Sequence, residues 1–383
     1  EKGTRCKVAA YFEGIHYFLI KQKEIKDIRL VYAPPQDIGS FGGDIDNFMW
    51  PRHCGDFAFF RAYVGKDNSS SEYHKENVPY QPKHWLKVNP KGIMPGEKVI
   101  VAGYPGRTYR YVTSYEIKSD KEWHYPFMVG TLSDYLEILG NLSRKNKETD
   151  IKVASLKESL SNYLKYCQGM MDGLGRSKIA QSKESFESEL PTRLSDHPEL
   201  LKKAQEALQK SKEIVEKSAS TRDRDALLRW LIRSSHLLSF ATTAYRLSLE
   251  KKKEDAQREP GYQERDVPKI KKSTERKQQS FDVDVDREVT RYFLRKMGEL
   301  PQEKQWETLR KIVEKHQGIE GLLTHLYSQS EIQKLETKLA MLEESEEKLS
   351  ARNDAWIEMA RALYPWHQEQ EQKAKEIKGM LAL

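Results

Sequence analysis

The chain has 383 residues, enough for two or three domains, and 38% of them are hydrophobic. Its 65 basic and 58 acidic residues give a net charge of +7, but the two signs are interleaved, which is typical of solvated helix faces and argues against a nucleic-acid-binding surface. No apolar run is long enough to span a membrane, and the three cysteines lack metal-ligand spacing. We therefore expect no nucleic-acid partner, no membrane insertion, no metal and no cofactor.

The first part of the chain has the composition of β-strands. Aromatic and β-branched residues are concentrated at 6–19 and at 28–33. The apolar run at 57–64 predicts a buried strand, with Phe59 in the core. Further strands are predicted at 85–88, 99–102 and 110–115.

Beyond residue 115 the spacing of apolar residues becomes helical. One helical face is predicted to carry Val153, Leu156, Leu160, Leu164, Cys167 and Met171. A single long helix is predicted over 225–259, ending before Pro260, and shorter helices follow it. The sequence therefore predicts an α+β chain, with strands first and a large all-helical region after them.

Asp56 lies between a polar loop and the apolar run at 57–64. The loop has the sequence GSFGGDIDNFMWPRHCGD, and a carboxylate at its end is costly to bury unless it is hydrogen-bonded. One use of such a group is to hold a catalytic histidine in the correct tautomer, although an aspartate that caps a loop fits the spacing equally well. His53 is unsuited as the base, because it is too close in sequence for its ring to face both the carboxylate and a nucleophile.

Four stretches carry a family resemblance: GGDIDNFMWPRHCGDF, GYPGRTYRY, SNYLKYCQG and EPGYQER, which begin at Gly42, Gly103, Ser161 and Glu259. They closely resemble the bacterial serine dipeptidyl peptidases typified by dipeptidyl peptidases 7 and 11, and the likeness extends over most of the chain. The sequence departs from that pattern at Phe48, where Trp is usual, and at Cys54, where Thr is usual.

The resemblance implies an exopeptidase that releases dipeptides from free peptide N termini by Ser-His-Asp acyl transfer. It makes Asp56 the triad carboxylate. It also implies that Asn47 and Asn162 hold the substrate α-amino group, which needs oxygen acceptors in place of water, and that Phe48 borders this subsite. Without the resemblance, Asn47 would be interpreted as a turn residue and Asn162 as a solvent-facing helix residue.

The resemblance further implies a domain organisation. Residues 1–114 are expected to form part of a trypsin-like catalytic β-barrel, and 115–383 a helical cap domain inserted between two barrels. No Gly-x-Ser-x-Gly or Gly-Asn/Asp-Ser-Gly occurs, so the chain is expected to be a fragment without the triad histidine and serine, and inactive alone. The family also implies a periplasmic or secreted bacterial enzyme, a homodimer at full length, whose partners are peptides with a free N terminus.

Two alternatives remain open at this point. The chain could be a non-catalytic helical adaptor, in which an extended helix at 331–352 forms a coiled coil, although its seven-residue repeat is brief. It could also be an inactive homologue that only binds peptides. Neither the preference for the residue before the cleaved bond nor the state of Cys54 follows from the sequence.

Overall fold

The computed structural model describes residues 3–11, 16–39, 47, 49, 51–100 and 111–381. The chain divides into two compact units, Glu1–Thr108 and Tyr109–Leu383. In the described residues, strands belong to the first unit and nearly all helices to the second. The prediction of an α+β chain with a large helical part is confirmed.

The strands of the first unit form two small antiparallel sheets. They are β1 (Thr4–Tyr11), β2 (His16–Lys23), β3 (Asp27–Tyr32), β4 (Phe59–Val64) and β5 (Val78–Pro79). β1 pairs with β2, and β4 lies between β3 and β5. The short helix α1 (Gln36–Gly39) follows β3. The strands predicted at 6–19 and 28–33 are confirmed, the former as parts of two strands.

An ion pair with a buried carboxylate links the strands of the three-stranded sheet. The Asp27 carboxylate is buried and accepts a 2.8 Å contact from the Arg29 guanidinium and a 2.9 Å hydrogen bond from Asn77 Nδ2. The hydrogen bond from Arg29 lowers the pKa of Asp27 to about 2. Arg29 also lies 3.8 Å from the ring centroid of Tyr63, so this cluster joins β3 to β4 and to the loop before β5.

The burial predicted for 57–64 is wrong for most of the run. β4 forms, but Phe59 is 60% exposed rather than in the core, whereas Val64 is 1% exposed. Val64 is the one buried hydrophobic residue among the described residues of this unit. Burial of a strand requires a second layer packed on its sheet, and the described part of the unit supplies none.

The strands predicted at 85–88, 99–102 and 110–115 are also wrong wherever the structure describes their residues. Residues 85–88 and 99–100 have no regular structure, and Leu86 and Ile100 are almost fully exposed. Residues 111–113 form no strand, and a helix begins at Ser114. A strand needs a neighbour for its backbone hydrogen bonds, and none pairs with these segments in the described ranges. Residues 101–110 lie outside those ranges.

The second unit consists of helices. Its α-helices are α2 (Ser114–Ser119), α3 (Tyr125–Ser143), α4 (Lys147–Arg176), α5 (Ile179–Ser188), α6 (Leu190–Arg193), α7 (Pro198–Ala219), α8 (Arg222–Ser234), α9 (His236–Glu250), α10 (Val267–Gln279), α11 (Val283–Gly298), α12 (Glu307–Lys315), α13 (Ile319–Ser328), α14 (Leu335–Met341), α15 (Glu346–Ala351) and α16 (Ala355–Leu381). A π-helical turn, Asp120–His124, joins α2 to α3, and short 3₁₀ turns lie at Asp255–Gln257, Glu264–Asp266 and Gln302–Lys304.

One hydrophobic core runs through this unit. α3 packs along α4, α8 packs on α11, and α9 packs on α16. The face predicted for α4 is confirmed, because Val153, Leu160 and Cys167 are buried and the other predicted members lie against the same core. The rings of Phe293 and Trp230 stack in this core, with centroids 6.1 Å apart.

Two helix predictions are corrected by tertiary contacts. The single helix predicted over 225–259 is two helices, α8 and α9, because Ser235 is extended and caps α9 by accepting a 3.1 Å hydrogen bond from Leu238 N. The extended helix predicted at 331–352 is also divided, into the short helices α14 and α15. The coiled-coil interpretation therefore loses the element on which it depended.

Candidate active site

Asp56 lies three residues before the start of β4. It is exposed, and the segment that carries it is tied to the end of α1, where Gly55 N donates a 2.8 Å hydrogen bond to Ile38 O. A side chain at position 55 would place its Cβ 3.0 Å from Ile38 Cγ2, so glycine permits this close approach. The contact fixes the backbone from which the Asp56 carboxylate projects.

The Asp56 carboxylate accepts no hydrogen bond from the part of the chain that the structure describes. A carboxylate that orients a histidine must keep an oxygen available for the imidazole Nδ1–H, and Asp56 meets this requirement. His53 is exposed nearby, and its rejection as the base stays a prediction.

Three aromatic rings cluster at Phe57, the residue that follows Asp56. Phe57 lies 5.9 Å from Tyr32 and 5.6 Å from Phe59, measured between ring centroids, and all three side chains are about half exposed. The available carboxylate of Asp56 is therefore followed directly in the sequence by a half-exposed aromatic cluster.

The predicted substrate-binding residues are distributed over both units. Asn47 is half-buried in the loop before Asp56, whereas Phe48 lies outside the described residues. Asn162 belongs to the second unit, on α4, where it is exposed and flanked by the buried Leu160 and Cys167. Asn47 lies in a turn and Asn162 in a helix, as predicted, and the roles of all three residues stay predictions.

No cluster of three or more His, Cys, Asp or Glu side chains that could hold a metal ion occurs within the described ranges. Among the helices described, none has the length and apolar character needed to cross a membrane.

Sequence reasoning missed a polar cluster in the second unit. The buried Asp286 carboxylate accepts hydrogen bonds from Tyr327 Oη at 2.6 Å, from Ser235 Oγ at 3.1 Å and from His236 N. The buried Lys338 lies nearby and lines a cavity with His236. The groups that donate to Asp286 lie 41 to 51 positions from it in the sequence, so no local motif reveals the cluster.

Comparison with known proteins identifies the family. The model of the Peptidase S46 family matches residues 1–382. An Asp/Glu-specific dipeptidyl-peptidase of Shewanella putrefaciens is 36% identical over 99% of this chain and 51% of its own length. A dipeptidyl-peptidase 7 of Capnocytophaga gingivalis is 37% identical over 48% of this chain and 26% of its own length.

Solved structures give the same result. DPP11 of Porphyromonas endodontalis, in complex with the dipeptide Arg-Glu, matches 99% of this chain and 53% of its own, with a TM-score of 0.75 and 26% identity. The chain thus spans about half the length of the Shewanella and Porphyromonas relatives. The resemblance to dipeptidyl peptidases 7 and 11 is confirmed, and the chain belongs to the Peptidase S46 family.

Proposed function

We propose that the protein acts as a serine-type dipeptidyl peptidase, to which this chain contributes the triad carboxylate, Asp56. The observation that carries the proposal is the exposed Asp56 carboxylate before β4, in a chain of the Peptidase S46 family. Relatives named dipeptidyl peptidases, and a related structure in complex with a dipeptide, support it.

Asp56 acts through a histidine. Its carboxylate accepts a hydrogen bond from the imidazole Nδ1–H, which leaves Nε2 free to take the proton of the nucleophilic serine. The serine oxygen then attacks the carbonyl carbon of the second substrate residue, and the histidine returns the proton to the leaving amine. Water, activated by the same histidine, hydrolyses the acyl-enzyme and releases the dipeptide. Asp56 stabilises the imidazolium in both steps without becoming protonated.

Exopeptidase action requires recognition of a free N terminus. An ammonium group removed from water needs acceptors, and the amide oxygens of Asn47 and Asn162 can provide them without a permanent charge. Phe48 borders the same subsite. In this proposal the helical region (115–383) is the cap domain that the family resemblance implies, and Asn162 on α4 is its contribution to substrate recognition.

The missing triad members belong, in this proposal, to the rest of a longer protein. The chain spans about half the length of its relatives, and its first unit leaves large apolar side chains such as Tyr17, Phe60 and Leu86 exposed. Apolar surface on this scale is typical of a face that another part of a protein covers. As the family resemblance implies, we assign residues 1–114 to an incomplete trypsin-like barrel. The chain alone is then inactive.

The location and assembly of the whole protein belong to the same proposal. It is periplasmic or secreted and forms a homodimer, as the family resemblance implies. Cell fractionation with antibody detection tests the location, and light scattering of the purified full-length protein tests the assembly. A cytoplasmic pool would contradict the proposed location, and a monomeric mass would contradict the proposed homodimer.

The decisive experiment measures dipeptide release from fluorogenic peptides by the full-length gene product and its Asp56→Asn variant. One substrate set carries an acidic residue before the cleaved bond and the other a hydrophobic residue. We expect kcat to fall by roughly four orders of magnitude in the variant, because the histidine loses its correct tautomer. N-acetylated versions of the same peptides should not be cleaved.

The matched control is Asp37→Asn, which removes another exposed carboxylate of the first unit. It should leave kcat unchanged. Full activity of Asp56→Asn would refute the triad assignment. If the purified 383-residue chain cleaves the substrates and Asp56→Asn abolishes this turnover, the proposal that the triad is divided between two parts of the protein is refuted.

A further inference from the structure

A cavity of about 300 Å³ lies in the second unit between α9, α10 and α14. Its size falls at the lower end of the range of small-molecule sites. Lys338, Lys277 and His236 line it, together with the hydroxyl groups of Ser239 and Ser273. None of these residues has a part in the proposed peptidase site.

Lys338 carries a buried ammonium group that is short of acceptors. The residue is 3% exposed, and its Nζ donates a 2.8 Å hydrogen bond to Gln278 Oε1. An ammonium has three hydrogens to donate, yet in the described part of the chain Lys338 forms no ion pair, and its Nζ otherwise lies over the rings of Phe281 and Phe240, 5.0 and 5.7 Å from their centroids. Burial lowers the pKa of Lys338 to about 8, with Asp286 opposing this effect, so the group is still protonated at neutral pH.

His236 supplies a second unsatisfied group. It is the first residue of α9, and its Nδ1 atom is buried without a hydrogen-bond partner. Burial lowers the pKa of His236 to about 4, so the ring is neutral at pH 7 and can carry a hydrogen on Nδ1. Buried polar atoms are nearly always paired, so an unpaired one on a residue that lines a cavity indicates a missing hydrogen-bond partner, which a ligand acceptor supplies to the Nδ1–H tautomer.

The remaining lining defines the charge and character of a ligand. Asp266 is the one carboxylate among the described lining residues, and Lys269 Nζ already contacts it at 2.7 Å. Asp286, the other nearby carboxylate, is held by Ser235 and Tyr327 and does not line the cavity. Phe240 and Ile270 add apolar surface to the lining. The cavity is thus lined by both cationic and apolar side chains.

We propose that this cavity binds a small organic carboxylate with an apolar body. The carboxylate accepts hydrogen bonds from the Lys338 ammonium and from His236 Nδ1–H, and the apolar body lies against Phe240 and Ile270. Such a ligand supplies the acceptors that both buried groups lack. Charge-assisted hydrogen bonds of this kind are among the stronger ones in proteins.

Calorimetric titration of the protein with phenylacetate tests the proposal, and phenylacetamide serves as the uncharged analogue of the same shape. We expect phenylacetate to bind at least about tenfold more tightly than phenylacetamide, because the carboxylate forms charge-assisted hydrogen bonds. Lys338→Met should remove this preference. Lys272→Met, which removes an exposed lysine of α10 that does not line the cavity, should retain it.

Three results would overturn the proposal: no binding of phenylacetate at millimolar concentration, equal binding of the two compounds, or unchanged preference in folded Lys338→Met. If Lys338→Met does not fold, His236→Phe replaces it, since loss of Nδ1–H should also weaken phenylacetate binding. The measurement does not use peptidase activity, so its outcome is independent of the proposed function.

Discussion

The Ser235 hydroxyl donates a 3.1 Å hydrogen bond to the buried Asp286 carboxylate, and this contact joins the break between α8 and α9 to the start of α11. Asp286 also accepts the backbone N–H of His236, the first residue of α9. One carboxylate thus satisfies polar groups that the break in the helix exposes.

Asp286 should make stability depend on pH. Burial raises its pKa to about 6, although hydrogen bonds from Tyr327 and His236 oppose the rise. The native state therefore binds this proton more tightly than the unfolded chain, and the resulting stabilisation is complete below about pH 4 and lost as the pH rises through 6. Between pH 7 and pH 5 we expect wild type to gain about 1 kcal/mol of unfolding free energy relative to Asp286→Asn.

Urea denaturation of both proteins at several pH values measures this difference. Asp284→Asn, which alters an exposed aspartate in the same turn of α11, is the control and should show no such trend. A difference between wild type and Asp286→Asn that does not change with pH would contradict the prediction.

Asp225 should be essential to the stability of the second unit. Its buried carboxylate accepts hydrogen bonds from Trp366 Nε1 at 3.0 Å and Arg224 Nε at 2.8 Å, and Lys373 Nζ lies 3.2 Å away. Burial would raise the pKa of Asp225, but the hydrogen bonds outweigh it and lower the pKa to about 2. Because Asp225→Ala leaves buried donors unpaired, we expect it to reduce the unfolding free energy by about 3–5 kcal/mol.

Denaturation at neutral pH measures this loss. Since the folded pKa is lowered, the stabilisation by Asp225 is present above about pH 4 and declines as the pH falls towards 2. The control, Asp172→Ala, removes an exposed carboxylate of α4 and should change stability by less than about 0.5 kcal/mol. Equal losses of unfolding free energy in the two variants would show that the hydrogen bonds of Asp225 do not contribute to stability.

The two units should respond differently to loss of a phenylalanine. Phe293 is fully buried and contacts Tyr135 and Trp230, so Phe293→Ala should reduce the unfolding free energy of the second unit by about 3–5 kcal/mol. In this 383-residue chain Phe59→Ala should cost less than about 1 kcal/mol, because that ring is largely exposed. Thermal unfolding followed by near-ultraviolet circular dichroism compares them, and a similar cost for both would mean that Phe59 is buried.

Asn162 should affect peptide hydrolysis. In the full-length protein, Asn162→Ala removes an amide acceptor for the substrate ammonium, and we expect kcat/KM to fall by about tenfold or more through loss of a charge-assisted hydrogen bond. Gln168→Ala removes an exposed amide elsewhere on α4 and serves as the control. Unchanged kcat/KM in Asn162→Ala would identify Asn162 as an ordinary solvent-facing residue.

The sequence by itself determined the family, most of the helices and the strands at 27–32 and 59–64. These features depend on information that is local or repeated: the motif around Asp56, the three-to-four spacing that buries Val153, Leu160 and Cys167, and clusters of β-branched and aromatic residues. Sequence also identified Asp56 and Asn162 as candidates, but through resemblance to a family, because an isolated Asp or Asn has common structural uses.

Only the tertiary structure decided where the predicted helix over 225–259 is broken and which polar groups are buried together. Ser235 has no neighbouring Gly or Pro to mark a break, and the carboxylate that stabilises it, Asp286, lies 51 positions away. Lys338 and His236 likewise meet at one cavity from helices far apart in sequence. The exposure of Phe59 also depends on tertiary structure. The composition of a strand sets its tendency to be buried, but burial occurs only where a second layer packs on the sheet.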